Sequence, residues 1–127
     1  MQESKDPIQH YELGCKFWIK GANDFTMGPG DVKLIKNLIE FRNLTKAAKV
    51  SNFSYKYGWN KLKNISEKTG KAIVNSHRGG KGGGGEVTVT PWGIHLVSLF
   101  ESAEKQLNIV INKINADFAK NNHEKEF

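Results

Sequence analysis

The feature that limits the fold most is a glycine run in residues 77–90, HRGGKGGGGEVTVT. Six glycines and Lys81 stand between Arg78 and an alternating β-branched segment. Glycine in an ordered element loses more backbone entropy than any other residue, so such a cluster needs a compensating reason. Three arrangements supply one: a linker, a loop cradling phosphate, or the tip of a hairpin that approaches something closely.

Context separates them. EVTVT alternates strictly, as a half-buried strand does, and Lys71 to Ser76 is also strand-like. Two strand-like flanks argue for a hairpin over a linker. A nucleotide-binding loop needs G-x-x-x-x-G-K-[ST] with a helix directly after it. Here Lys81 lies inside the run, no Ser or Thr follows it, and a strand comes next. The expected element is a hairpin over residues 71–90 with a basic, glycine-rich tip.

The charge pattern points the same way. Residues 46–81 hold nine basic residues and one acid, Glu67, while the whole chain holds 19 basic and 13 acidic residues. All of the net excess of +6 therefore comes from the middle third. A lysine-rich solvated face would account for it, and so would an electrostatic footprint for nucleic acid.

The segments around this region are legible as elements. Lys16 to Gly28 has two short β-prone runs around Gly21–Asp24, which predicts a hairpin with Phe17, Ile19 and Phe25 inward. A helix starts near Pro29, with Gly30 or Asp31 expected as its cap, and carries a stripe of Val32, Ile35, Leu38, Ile39 and Arg42. Thr45 is expected to cap a short helix through Val50. Asn52 suits the left-handed residue of a tight turn, and Ser54 can cap a longer helix ending before Gly70. Along it Tyr55, Trp59, Leu62 and Ile65 are expected to be core. Ala47, Ala48 and Gly58 are small enough for two helices to meet closely. A short helix, a tight turn and a second helix with polar faces form a helix-turn-helix, and a following hairpin makes it a winged helix.

Thr90 and Pro91 then open a last helix, expected to run to about Lys120. Phe100, Ala103, Leu107, Val110, Ile114 and Phe118 recur at near-heptad spacing. A helix of roughly 30 residues spans about 45 Å, more than so small a domain buries alone, so this seam is expected to meet a second copy. The fold class is thus α+β, mainly α: a winged helix-turn-helix with an N-terminal β-hairpin and a long C-terminal dimerisation helix. The expected divisions are a tail at 1–10, the DNA-binding domain at 11–90 with its wing at 71–90, the dimerisation helix at 91–120, and a tail at 121–127.

The segments TKAAKVSNFSYKYGWNKLKNI and RGGKGGGGEVTVTPWG resemble the N-terminal DNA-binding domain of the ModE-type molybdate-responsive regulators, a winged helix akin to that of LysR-type proteins. The resemblance covers residues 13 to about 110 and rests above all on Ser54, Tyr55, Lys56 and Trp59 paired with Gly79 to Gly85. It implies a dimeric regulator with the recognition helix, 54–68, in the major groove and the wing on the backbone or minor groove. Asn52 stands where this turn usually carries glycine. Members that sense molybdate carry C-terminal oxyanion-binding domains, and this sequence has none. The expectation is therefore a stand-alone member, with no small-molecule effector within this chain.

On that reading Ser54, Lys56, Tyr57, Asn60 and Lys61 form the major-groove face. Asn60 suits adenine, and the lysines suit guanine or phosphate. Lys46 and Lys49 would hold the phosphate backbone. Arg78, Gly79, Gly80, Lys81 and Gly82 would form the wing contacts. Double-stranded DNA and a second copy are the expected partners. An architectural nucleoid protein, or a protein-interaction module without sequence-specific regulation, is the alternative.

Enzymatic chemistry finds no support: His10, His77, His95 and His123 are scattered, and no catalytic constellation appears. No cofactor or metal is expected, because one cysteine cannot build a zinc finger. Cys15 is expected as a buried small hydrophobe in a strand. A single cysteine, a polar N-terminus and no apolar run of membrane-spanning length suggest a cytoplasmic protein, at the nucleoid of a prokaryote.

Overall fold

The computed structural model describes residues 11–77 and 85–124. They fall into two compact units, one of residues 17–101 and one of 11–16 with 102–124. The first unit opens with a small antiparallel hairpin, β1 (Ile19–Lys20) and β2 (Thr26–Met27), paired Ile19 to Met27 and Lys20 to Thr26. Asn23 and Asp24 close its turn at φ 58° and 59°, a left-handed region that such short polar side chains tolerate. Phe25 and Met27 are buried, while Phe17 and Ile19 are partly buried against the core.

α1 (Pro29–Phe41) follows. Its cap is Gly28, not Gly30 or Asp31. Pro29 takes the first helical position, where its missing N–H costs nothing. Asp31 reaches back, and its Oδ2 accepts the Gly28 N–H at 2.9 Å. Val32, Leu34, Ile35 and Leu38 are buried, whereas Ile39 is exposed. Arg42, expected in the buried stripe, instead ends the helix at φ 54° and donates its N–H to the Leu38 carbonyl.

α2 (Leu44–Val50) is capped by Asn43, whose Oδ1 accepts the Lys46 N–H at 2.8 Å, and not by Thr45. The turn to α3 (Tyr55–Thr69) has Asn52 at φ 69° and Phe53 donating its N–H to Ala48 O at 2.8 Å. Ser54 Oγ accepts the Tyr57 N–H at 3.1 Å, and Gly70 ends the helix at φ 73°. α3 buries Gly58, Leu62 and Ile65. A Cβ built on Gly58 would stand 3.4 Å from Ala48 Cβ and 3.7 Å from both Leu34 methyls. Helices α1, α2 and α3 therefore meet at this glycine, with room for about one methyl group.

A second tie joins α1 to α3. Lys61 Nζ donates to Asp31 Oδ1 at 2.9 Å, with side chains only 22% and 15% exposed. The ammonium also lies 5.0 Å from the Tyr57 ring centre and 5.7 Å from that of Phe53. Burial pulls the Lys61 pKa down, but the hydrogen bond and charge of Asp31, helped by Tyr57, outweigh it and leave the pKa raised above 10.5.

The second hairpin pairs β3 (Val74–His77) with β4 (Glu86–Val89), with Val74 opposite Val89 and His77 opposite Glu86. It is tied back at its base. Val87 donates its N–H to Arg42 O at 3.0 Å, and Ile73 donates its N–H to Ser66 Oγ at 3.0 Å. Thr90 Oγ1 shares its hydrogen between Ala72 O (2.7 Å) and Ile73 O (3.1 Å), and accepts the Gly93 N–H at 3.2 Å as the cap of the last helix. A Cβ on Gly93 would fall 2.6 Å from Val89 Cγ1 and 3.0 Å from Ile73 O, so only glycine lets this first turn cross the strands.

α4 (Pro91–Glu124) is 34 residues long and continues past the expected end at Lys120. Its first turns bury Leu96, Val97 and Phe100. Phe100, expected on a dimer seam, stacks on Phe17 at 4.4 Å and is core. In the second unit, residue 13 is held to the helix at both backbone groups. Leu13 donates its N–H to Asn115 Oδ1 at 2.7 Å, and Asn115 Nδ2 donates to Leu13 O at 3.0 Å. Tyr11, Leu13, Ile114 and Phe118 line an open cavity of about 330 Å³ beside this clamp. Cys15 is exposed and lies outside the strands, contrary to expectation.

Two predictions follow from this packing. Gly58→Ala gains helix propensity without a clash and should be neutral or stabilising by up to about 1 kcal/mol in denaturant unfolding, while Gly93→Ala should destabilise by about 1–3 kcal/mol. Asp31→Asn should cost about 1.5–3 kcal/mol at pH 7. Because the Lys61 pKa is raised, the pair's contribution is complete below pH 10.5 and is lost as pH climbs through the raised value. Wild type and Asp31→Asn should therefore converge in stability as pH climbs through that raised value; a gap that stays constant across it contradicts the assignment.

Candidate nucleic-acid interface

The helix-turn-helix presents its outer surface according to how α3 is rotated. Its buried side is centred on Gly58, Leu62 and Ile65. At about 100° per residue, the opposite side carries Lys56, Asn60 and Lys63, with Glu67 one turn further on. All four are exposed. Tyr55 and Trp59 lie on one flank, 55% and 39% exposed, rather than in the core. Tyr57 lies on the other flank, edge-on to Phe53 with ring centres 4.9 Å apart.

Of the expected groove residues, Lys56, Tyr57 and Asn60 are exposed on α3, and Ser54 stands at its start as cap. Lys61 is placed differently. Its charge is satisfied inside the fold by Asp31, so it is not offered to solvent as the others are. Lys63 occupies the outer side in its stead. The spacing of Lys56, Asn60 and Lys63, four and three residues apart, is the signal that could have marked it.

Lys46 and Lys49 are exposed on α2, with the Lys46 ammonium 4.6 Å from the Phe41 ring centre. Among the described residues, Lys46, Lys49, Lys56 and Lys63 make no ion pair. Two other lysines of the basic stretch are engaged locally. Lys68 Nζ donates to Asn23 O at 3.0 Å, and Lys71 lies 4.7 Å from the Trp92 ring centre. The hairpin's stem presents His77, with Nε2 3.3 Å from Thr88 Oγ1. The expected wing contacts Arg78, Gly79, Gly80, Lys81 and Gly82 lie outside the described residues.

Among the described residues, no group of His, Cys, Asp and Glu could hold a metal ion, and no helix is long and apolar enough to cross a membrane.

The α2–turn–α3 arrangement with its hairpin has known counterparts. No protein-family model matches the chain. It is 30% identical over 73 residues to the DNA-binding transcriptional dual regulator ModE of Escherichia coli K12, covering 58% of this chain and 28% of that protein. It is 29% identical over 87 residues to the transcriptional regulator ModE of Haemophilus influenzae, covering 68% and 34%. The chain thus spans about a third or less of the length of these relatives. Among solved structures, Vibrio fischeri DarR in complex with DNA matches with a TM-score of 0.51 at 18% identity, over 72% of this chain and 29% of that one. ArgP from Mycobacterium tuberculosis matches with a TM-score of 0.50 at 13% identity, over 67% and 30%. The fold is a winged helix-turn-helix similar to that of these two solved structures, and over 73 to 87 residues the sequence is similar to ModE regulators.

Proposed function

We propose that this chain is a DNA-binding transcriptional regulator that acts as a dimer, with α3 in the major groove. One observation carries the reading. Lys46, Lys49, Lys56 and Lys63 are exposed on the two helices of a helix-turn-helix and, among the described residues, make no ion pair, in a chain similar to DNA-binding regulators. Lys56, Asn60 and Lys63 are suited to base edges or groove-lining phosphates, since asparagine matches adenine and lysine matches guanine. Lys46 and Lys49 would grip the backbone beside the groove. The wing, with Arg78 and Lys81, would add contacts on the backbone or minor groove. The protein would act by binding rather than by catalysis, at the nucleoid in the cytoplasm.

The dimer is proposed through the later part of α4. Ala103, Leu107, Val110, Ile114 and Phe118 keep the near-heptad spacing, and the last three are exposed, as is Ile109. Phe100 belongs to the domain core instead.

Affinity for duplex DNA should fall steeply with salt, with a log–log slope near −0.9 per phosphate neutralised. Lys46→Ala and Lys49→Ala should each shallow that slope by about one, equally on all sequences. Asn60→Ala should instead cost roughly 1–3 kcal/mol on a selected site and little elsewhere. Sedimentation should show a dimer that Val110→Asp converts to monomer. A wild-type monomer at micromolar concentration contradicts the dimer, and salt-independent or absent binding contradicts the DNA reading.

A further inference from the structure

Tyr55 and Trp59 are unexplained by the packing of the fold. They stand one helical turn apart on the same flank of α3, exposed, at its first and fifth positions. Among the described residues no hydrogen bond reaches the Tyr55 hydroxyl or the Trp59 indole N–H, and no ring stacks on either. An aromatic pair left in water forgoes the burial that such large side chains ordinarily gain. Among the described residues, their neighbours on the outer side, Lys56 and Lys63, make no ion pair. An apolar strip bordered by positive charge matches one feature of a polyanionic duplex. In the major groove the thymine C5-methyl is the apolar group on the base edges, and it lies among base acceptors and phosphates.

We infer that Tyr55 and Trp59 form an apolar reading strip that selects thymine through its C5-methyl group, next to the hydrogen-bonding positions Lys56 and Asn60. The inference rests on the proposed placement of α3 in the major groove. The strip occupies the flank and the polar residues the outer side, so a single insertion of α3 brings both to the base edges. Sites bound by this protein would then contain thymine at positions offset from the adenine or guanine contacts. Aromatic bulk, rather than hydrogen bonding, would discriminate thymine from cytosine there.

The test is a cycle between protein and DNA. The full chain is used to select a site from random duplex, and each thymine of that site is then replaced by deoxyuridine, which removes only the methyl. Wild type should lose about fourfold in affinity per contacted methyl, the equivalent of one buried carbon. Trp59→Ala or Tyr55→Ala should bind the original site more weakly and be indifferent to the replacement at the matching position. Trp59→Phe, which keeps an apolar ring, should retain most of the methyl dependence. Circular dichroism and a cooperative denaturant-unfolding transition establish that each variant is folded.

Site-specific binding by wild type with no deoxyuridine effect overturns the strip while leaving the DNA reading intact. Deoxyuridine losses that are the same in wild type and both alanine variants overturn the assignment to these residues. Absence of any selected site overturns the placement of α3 on which the inference stands.

Discussion

The close approach of α1, α2 and α3 around Gly58 governs what this protein can present to a partner. With Leu34 on one side and Ala48 on the other, Gly58 is the point at which α3 is pressed into the domain. That contact fixes the rotation of α3 about its axis. Rotation in turn decides which residues face outward, and a change of one residue would move each side chain by about 100°. The outer row of Lys56, Asn60 and Lys63, the flank of Tyr55 and Trp59, and the inward turn of Lys61 are all consequences of this single packing choice.

Polar groups hold the same arrangement from the edges. Asp31 serves α1 with one carboxylate oxygen, through the Gly28 N–H, and α3 with the other, through Lys61. Thr90 likewise serves two elements, bonding the backbone at Ala72 and Ile73 while capping α4. Trp92 donates its indole N–H to Thr69 Oγ1 at 3.2 Å, so the end of α3 is also tied to the start of α4. Buried polar groups are costly unless satisfied, and here each one is satisfied by an element it must position. The hairpin is thereby set beside the helix-turn-helix by hydrogen bonds at its base.

Much of this was legible wherever local chemistry decides. Asn52 in the tight turn, Ser54 and Thr90 as caps, Gly70 as the end of α3 and the hairpin around Asn23 all follow from backbone preferences of single residues. Two caps were misread. At Gly28 the capping residue has no side chain, and the informative group, Asp31, sits three positions later. At α2, Asn43 and Thr45 are both competent caps, and only the Lys46 N–H chooses between them. Leu62 and Ile65 are legible as core, but the centre of the buried side of α3 is a glycine, which is silent in a hydrophobic pattern. Tyr55 and Trp59 supplied the apolar signal in its place. The Lys61 pairing depends on Asp31, 30 residues away, and the burial of Phe100 depends on Phe17, so neither has a local signature.

The most direct test of this account compares Lys61→Ala with Lys63→Ala, measuring duplex-DNA affinity over a range of salt alongside denaturant stability. If α3 is rotated as described and enters the groove, Lys63→Ala weakens binding and shallows the salt slope with stability unchanged. Lys61→Ala then lowers stability and, once folded, leaves the salt slope alone. The reverse pattern, with Lys61 carrying the salt dependence and Lys63 inert, would contradict both the rotation of α3 and the interface built on it.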